Sequence, residues 1–155
     1  MKDQITFADI EYGSRKRSTR RDRLLLFMDA ILPWDEITKL LASCRPGNRT
    51  GRPARDTETL YRMVLLQKWY GLSDDALEDA IYDSYAMRSF LHLDFGADSV
   101  PDPSTLYRFR KKLAKTGTGD ACEELVKAAM KENHCSLRPG CAADPILTVK
   151  KAKKK

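Results

Sequence analysis

Long apolar runs are missing from this chain of 155 residues. None reaches the roughly 18 residues that a transmembrane helix needs, so no membrane span is expected. The opening Met-Lys-Asp-Gln-Ile-Thr lacks the apolar stretch of a secretory signal, which points to a soluble, cytoplasmic protein. Histidine is scarce, at two residues, and His92 between Leu91 and Leu93 suits a packed or surface position better than a general base. Cys44, Cys122, Cys135 and Cys141 contain no Cys-x-x-Cys, and with His134 they lack the paired ligand spacing of a zinc site. Neither zinc nor disulfides are expected in a reducing compartment. A phosphate-cradling loop is also missing, because Gly117-Thr118-Gly119 is not followed by Lys-Ser/Thr.

Charge is present, and it is unevenly placed. The formal net charge is +6, yet five lysines crowd into residues 150–155, and without them 23 basic groups face 22 acidic ones. Local pattern therefore carries more than the total. Arg15, Lys16, Arg17, Arg20, Arg21 and Arg23 form one basic block, with Asp22 its one acid. Arg45, Arg49, Arg52 and Arg55 form a second, and Arg108, Arg110, Lys111, Lys112 and Lys115 a third. Between the last two, residues 56–102 hold ten carboxylates against Arg62, Lys68 and Arg88. Basic blocks around an acidic middle fit a protein that presents one side to a polyanion.

Periodicity predicts an all-α chain of three parts: a flexible basic arm over 1–18, a multi-helix domain over 19–134, and a segment 135–155 with a lysine-rich, disordered tail. Ser18 or Thr19 caps a helix bearing Leu24, Leu25, Met28, Ile31 and Leu32. Pro33 ends it and opens the next, with Trp34, Ile37, Leu40 and Leu41 as its apolar stripe. Residues 45–53 are a loop by composition. From Asp56 to Tyr70 apolar groups wrap most of the helix, which makes it the central one, and Gly71 closes it. Ser73 caps a helix that buries Leu77, Ala80 and Ile81; a short one follows with Met87, Phe90 and Leu91 inward. Residues 94–101 are a polar loop. Asp102 and Pro103 start a helix to about Lys115, and Asp120–Asn133 is the last helix, burying Leu125, Ala129 and Met130. No strand is expected before Cys141.

The helices 73–83, 85–92 and 103–115 make a trio of the helix-turn-helix kind, with a connection longer than the usual three or four residues. Leu106, Phe109 and Leu113 fall within roughly 60° of one another around the third helix. Ser104, Arg108, Lys111 and Lys115 lie opposite, and residues 103–116 contain no acid. A helix that enters a DNA groove needs these two faces, one apolar to seat it and one cationic to meet phosphates and base edges. Ser104 and Thr105 at the positive helix end suit a phosphate. Arg108 and Lys111 suit guanine edges. Tyr107, Arg110, Lys112 and Lys115 suit the sugar-phosphate backbone, and Arg20, Arg21, Arg52 and Arg55 are expected to add contacts from the other basic blocks.

Ordered segments of the chain resemble insertion-sequence transposases of the IS5 type. They are Gly51-Arg52-Pro53, then 65–74 (Leu-Leu-Gln-Lys-Trp-Tyr-Gly-Leu-Ser-Asp), 77–84 (Leu-Glu-Asp-Ala-Ile-Tyr-Asp-Ser), 87–91 (Met-Arg-Ser-Phe-Leu) and 101–110 (Pro-Asp-Pro-Ser-Thr-Leu-Tyr-Arg-Phe-Arg). The similarity spans about 20–145. It implies the N-terminal DNA-binding domain, which recognises the terminal inverted repeats of the element in double-stranded DNA, and a nucleoid-associated place in the cytoplasm. In the family a ribonuclease-H-like domain follows, where an Asp-Asp-Glu triad holds two Mg²⁺ for phosphoryl transfer. Residues 137–144 resemble the approach to the first of these acids, making Asp144 its counterpart. Pro145 stands where the first strand should continue, and 146–155 add no further carboxylate. The chain as given is thus expected to bind DNA without cutting it and to need no cofactor, with a second copy or a full-length transposase as protein partner. A transcriptional regulator unconnected with transposition, and an oligomerisation or interaction module, are the alternatives.

Overall fold

A computed structural model describes residues 18–44, 57–93, 99–138 and 145–150. Those residues form an all-α array with one small hairpin: α1 (Arg20–Ile31), α2 (Trp34–Leu41) with a 3-10 turn at Ala42–Cys44, α3 (Thr57–Tyr70), α4 (Asp74–Asp83), α5 (Tyr85–Phe90), α6 (Pro103–Thr116), α7 (Thr118–Glu132), β1 (Cys135–Arg138) and β2 (Ile146–Val149). Among the described residues no helix is long and apolar enough to cross a membrane.

Local chemistry fixes most helix ends. Thr19 and Asp22 form a reciprocal capping box, the Thr19 hydroxyl accepting from the Asp22 amide at 3.1 Å and the Asp22 carboxylate from the Thr19 amide at 2.9 Å. Leu32 and Pro33 break the chain before α2. Ser73 accepts from Ala76 N, Ser84 from Met87 N, and Asp102 from Thr105 N with Pro103 just inside the helix. Gly71 and Gly117 turn out of their helices at φ +63° and +71°, a region that suits glycine.

α3 is the hub, with Leu60, Tyr61, Met63, Leu65, Leu66 and Tyr70 all buried. It packs on α2, α4 and α6, while α4 touches both α5 and α6. α1 lies on α5, and α7 lies between α6, α2 and β1. The core runs through Met28, Ile37, Leu41, Leu66, Leu77, Ile81, Met87, Leu106 and Cys122.

Four expectations need correcting. β1 and β2 pair antiparallel, Cys135 opposite Val149 through Arg138 opposite Ile146, where no strand was expected before Cys141. Cys135 and Leu137 turn inward and Ser136 and Arg138 outward, so the strand alternation is present but only four residues long. Pro145 sits one residue before the ladder, where its missing N–H costs nothing. α7 begins at Thr118 rather than Asp120, because Gly117 alone makes the reversal and Gly119 continues the helix. A Cβ on Gly119 would approach that of Leu113 to 3.3 Å, so the first turn of α7 needs a small residue there. The buried stripe of α7 is Thr118, Cys122, Val126 and Ala129, with Leu125 and Met130 half-buried at its edge. In α2, Ile37 and Leu41 point inward but Leu40 is exposed.

Candidate nucleic-acid interface

α6 follows the division seen in its sequence. Leu106, Phe109 and Leu113 are buried, while Ser104, Tyr107, Arg108, Lys111 and Lys115 are exposed. Among the described residues neither Arg108, Lys111 nor Lys115 is in an ion pair. Lys111 holds its ammonium 4.8 Å from the centre of the Tyr107 ring, one turn earlier, a cation–π contact that leaves both at the surface. Thr105 and Lys112 occupy the shoulders of the face, each half-buried. The helix N-terminus is less open to a phosphate than its sequence suggests. Asp102 already takes the Thr105 amide at 2.7 Å and puts a carboxylate at the positive end. The Ser104 amide and the hydroxyls of Ser104 and Thr105 are what remains there for an anion.

Arg110 does not join this face. It lies about 65° from the centre of the buried stripe, whereas Arg108 and Lys111 lie more than about 130° away. Its guanidinium turns back onto the α3–α4 corner. Nη1 donates to Asp74 Oδ1 and, at 2.6 Å, to Gln67 Oε1; Nη2 donates to Asp74 Oδ2 at 3.0 Å. Gln67 Nε2 completes the triangle with a 2.6 Å bond to Asp74 Oδ1. The hydrogen bond from Arg110 holds the Asp74 carboxyl below its ordinary range, against a smaller upward push from burial. Arg110 is thus a fastening within the protein rather than the backbone contact expected from its position in a basic block.

Of the other expected contacts, Arg20 is exposed at the start of α1. Arg21 lays its guanidinium 5.2 Å from the centre of the Tyr70 ring, at the same end of α3 that Gln67 ties to α6. Arg52, Arg55 and Asp144 lie outside the described residues. The Mg²⁺ implied for a complete transposase would need several convergent carboxylates. Among the described residues no group of three or more His, Cys, Asp or Glu is placed to hold a metal, so no metal-dependent step is assigned to them.

Sequence reasoning overlooked two features. Arg62, in the acidic stretch, is 3% exposed and bonds Asp29, Glu58 and the Phe90 carbonyl from inside the core. A groove of about 450 Å³ opens between α3, α6, α7 and β1, with Val64, Leu65, Trp69, Leu113 and Met130 on its walls. Lys68 on α3 and Glu123 on α7, 2.5 Å apart, join its rims.

The described residues thus form a helical array that carries a seated, acid-free cationic helix on its surface. Residues 14–112 match the family described as Transposase domain (DUF772), and the chain belongs to that family. The matched span takes in α1 to α5 and most of α6. No solved structure matches the chain.

Proposed function

We propose that the helical array is the DNA-binding part of an IS5-type transposase, which recognises the terminal inverted repeats of its element through α6. The observation that carries this is the exposed row Ser104, Arg108, Lys111 and Lys115 over the buried Leu106, Phe109 and Leu113. α6 enters the major groove in a helix-turn-helix-like manner, supported by α3 and α4. Arg108 and Lys111 meet base edges, where an arginine fork matches guanine O6 and N7. Lys115, Lys112, Tyr107 and the hydroxyls of Ser104 and Thr105 meet the sugar-phosphate backbone and fix the register. Arg20 and the cations of residues 45–55 add charge. Cutting and joining belong to a ribonuclease-H-like domain, whose first carboxylate corresponds to Asp144.

The test is binding to a duplex carrying the terminal repeats that flank the gene, with scrambled duplex as control. With about six phosphate contacts, affinity should fall by ~10³ between 50 and 200 mM salt. Arg108→Glu combined with Lys111→Glu should abolish the preference for the repeats. A wild-type chain with no such preference and no salt dependence would refute the assignment.

A further inference from the structure

The three apolar anchors of α6 hold it by contact that has no direction. Leu106, Phe109 and Leu113 resist its removal from the core but resist rotation about its own axis only through packing. Rotation matters for a reading helix. At a side-chain radius of ~5–6 Å, a turn of roughly 20° sweeps a surface group by about 2 Å. Hydrogen bonds to base edges tolerate only a few tenths of an ångström.

A directional contact in the middle of α6 is the Arg110 fork; at the helix end the Thr116 hydroxyl also lies 3.5 Å from the Cys44 thiol. The two arms of the fork meet the two oxygens of Asp74, the geometry in which guanidinium and carboxylate fix each other's plane. The seat beneath it is braced. Asp74 is the first residue of α4, behind the Ser73 cap. Gln67 stands in the last turn of α3, and its carbonyl accepts from Leu72 N at 3.1 Å while its side-chain amide donates to Leu72 O at 3.4 Å. Side chain and main chain of Gln67 thus both grip the turn at Gly71 that joins α3 to α4. Any rotation of α6 must break the fork or drag that corner along.

We infer that Asp74 and Gln67 are positioning residues for DNA reading: through Arg110 they set the rotation of α6 and so aim Arg108 and Lys111, without touching DNA themselves. This deepens the proposal of DNA recognition by α6 and rests on it. An ion pair of purely structural value would act otherwise. Its loss would lower the folded fraction and weaken binding to every duplex by the same factor.

The experiment uses the full chain carrying Asp74→Asn, or the milder Gln67→Leu, titrated with the terminal-repeat duplex and with scrambled duplex between 50 and 200 mM salt. The expected result is a fall of about tenfold in the ratio of the two affinities, the size of one mismatched base pair. The salt slope should stay unchanged, because no phosphate contact is lost. Asp74→Glu, which keeps the carboxylate, should retain most of the ratio. The inference is overturned if both Asp74→Asn and Gln67→Leu keep the wild-type ratio while affinity for the two duplexes drops in parallel. A wild type that does not discriminate between the duplexes refutes recognition by α6 and the positioning role together; discrimination that survives in the variants refutes the positioning role alone.

Discussion

Replacing Arg62 by Met tests whether the core is organised around a charge. The guanidinium gives 2.8 Å to Asp29 Oδ1, 3.0 and 2.9 Å to Glu58 Oε1, and 2.7 Å to the Phe90 carbonyl, so one side chain fastens α1, α3 and α5. The Trp34 ring centre lies 3.8 Å from its central carbon and that of Phe90 4.9 Å, so the cation also stacks between aromatics. Methionine keeps most of the apolar stem and removes every bond. Breaking a buried pair by deleting one partner costs about 3–5 kcal/mol. Asp29 and Glu58 are 31% and 30% exposed, so water recovers part of their loss and the lower figure applies. For a chain of this size about 3 kcal/mol corresponds to a fall of roughly 10 °C in Tm. Circular dichroism at 222 nm during heating reads the shift. A triple variant, Arg62→Met with Asp29→Leu and Glu58→Leu, should regain much of the loss, because neither of the carboxylates that faced Arg62 is then left without its partner. A single variant within about 2 °C of wild type would refute the reasoning.

Other perturbations follow from single sites. The Asp74 and Glu123 carboxyls are held below their ordinary values of 3.8 and 4.5 by hydrogen bonds from Arg110 and Lys68. A depressed folded-state pKa contributes stability above the ordinary value and loses it as pH falls through the folded one, so urea midpoints should drop below about pH 4, and less steeply in Asp74→Asn. Equal slopes in both proteins would exclude a contribution from Asp74. Gly117→Ala meets no atom within 4 Å, so its cost is the positive φ alone, about 1 kcal/mol, read as a Tm lowered by a few degrees. Burial, together with the neighbouring Cys44, pushes the Cys122 thiol up to about 11, and the side chain is fully enclosed. At pH 8 it should resist alkylation until denaturant is added; peptide mapping that finds it modified at the rate of a free thiol would contradict the packing of α7 on α2.

Helix boundaries were legible wherever a cap stood next to a periodic run. Thr19, Ser73, Asp102-Pro103 and Gly71 each act on their own few residues, so their effect needs no knowledge of the fold. The hairpin was not legible. Four-residue strands offer two inward positions each, too few for alternation to separate from chance. The face of α7 was misjudged for another reason: Leu125 and Met130, the larger side chains, lie at the two edges of a stripe centred on Cys122, Val126 and Ala129, and the later helix start left Thr118 out of it. Long-range partners were out of reach, because nothing near Arg62 in sequence announces Asp29, and nothing near Arg110 announces Asp74.

One feature of the cations was readable all the same, and it separates those that build from those that face outward. Arg62 has Leu65 and Leu66 at the third and fourth positions after it, and Arg110 has Leu106 four before and Leu113 three after. At helical spacing these neighbours are apolar, so the charge emerges beside the core and must find a carboxylate inside the protein. Arg108 has Ser104 and Lys111 at the same offsets, and Lys111 has Arg108 three before and Lys115 four after, beside the exposed Tyr107 and Ala114. Their neighbours are mostly polar, their surroundings are solvent, and nothing in the described protein neutralises them. Counting a basic block as one patch therefore overstates its reach. In α6 the block divides: Arg110 is spent on holding the helix, and Arg108, Lys111 and Lys115 stay exposed because the helix is held.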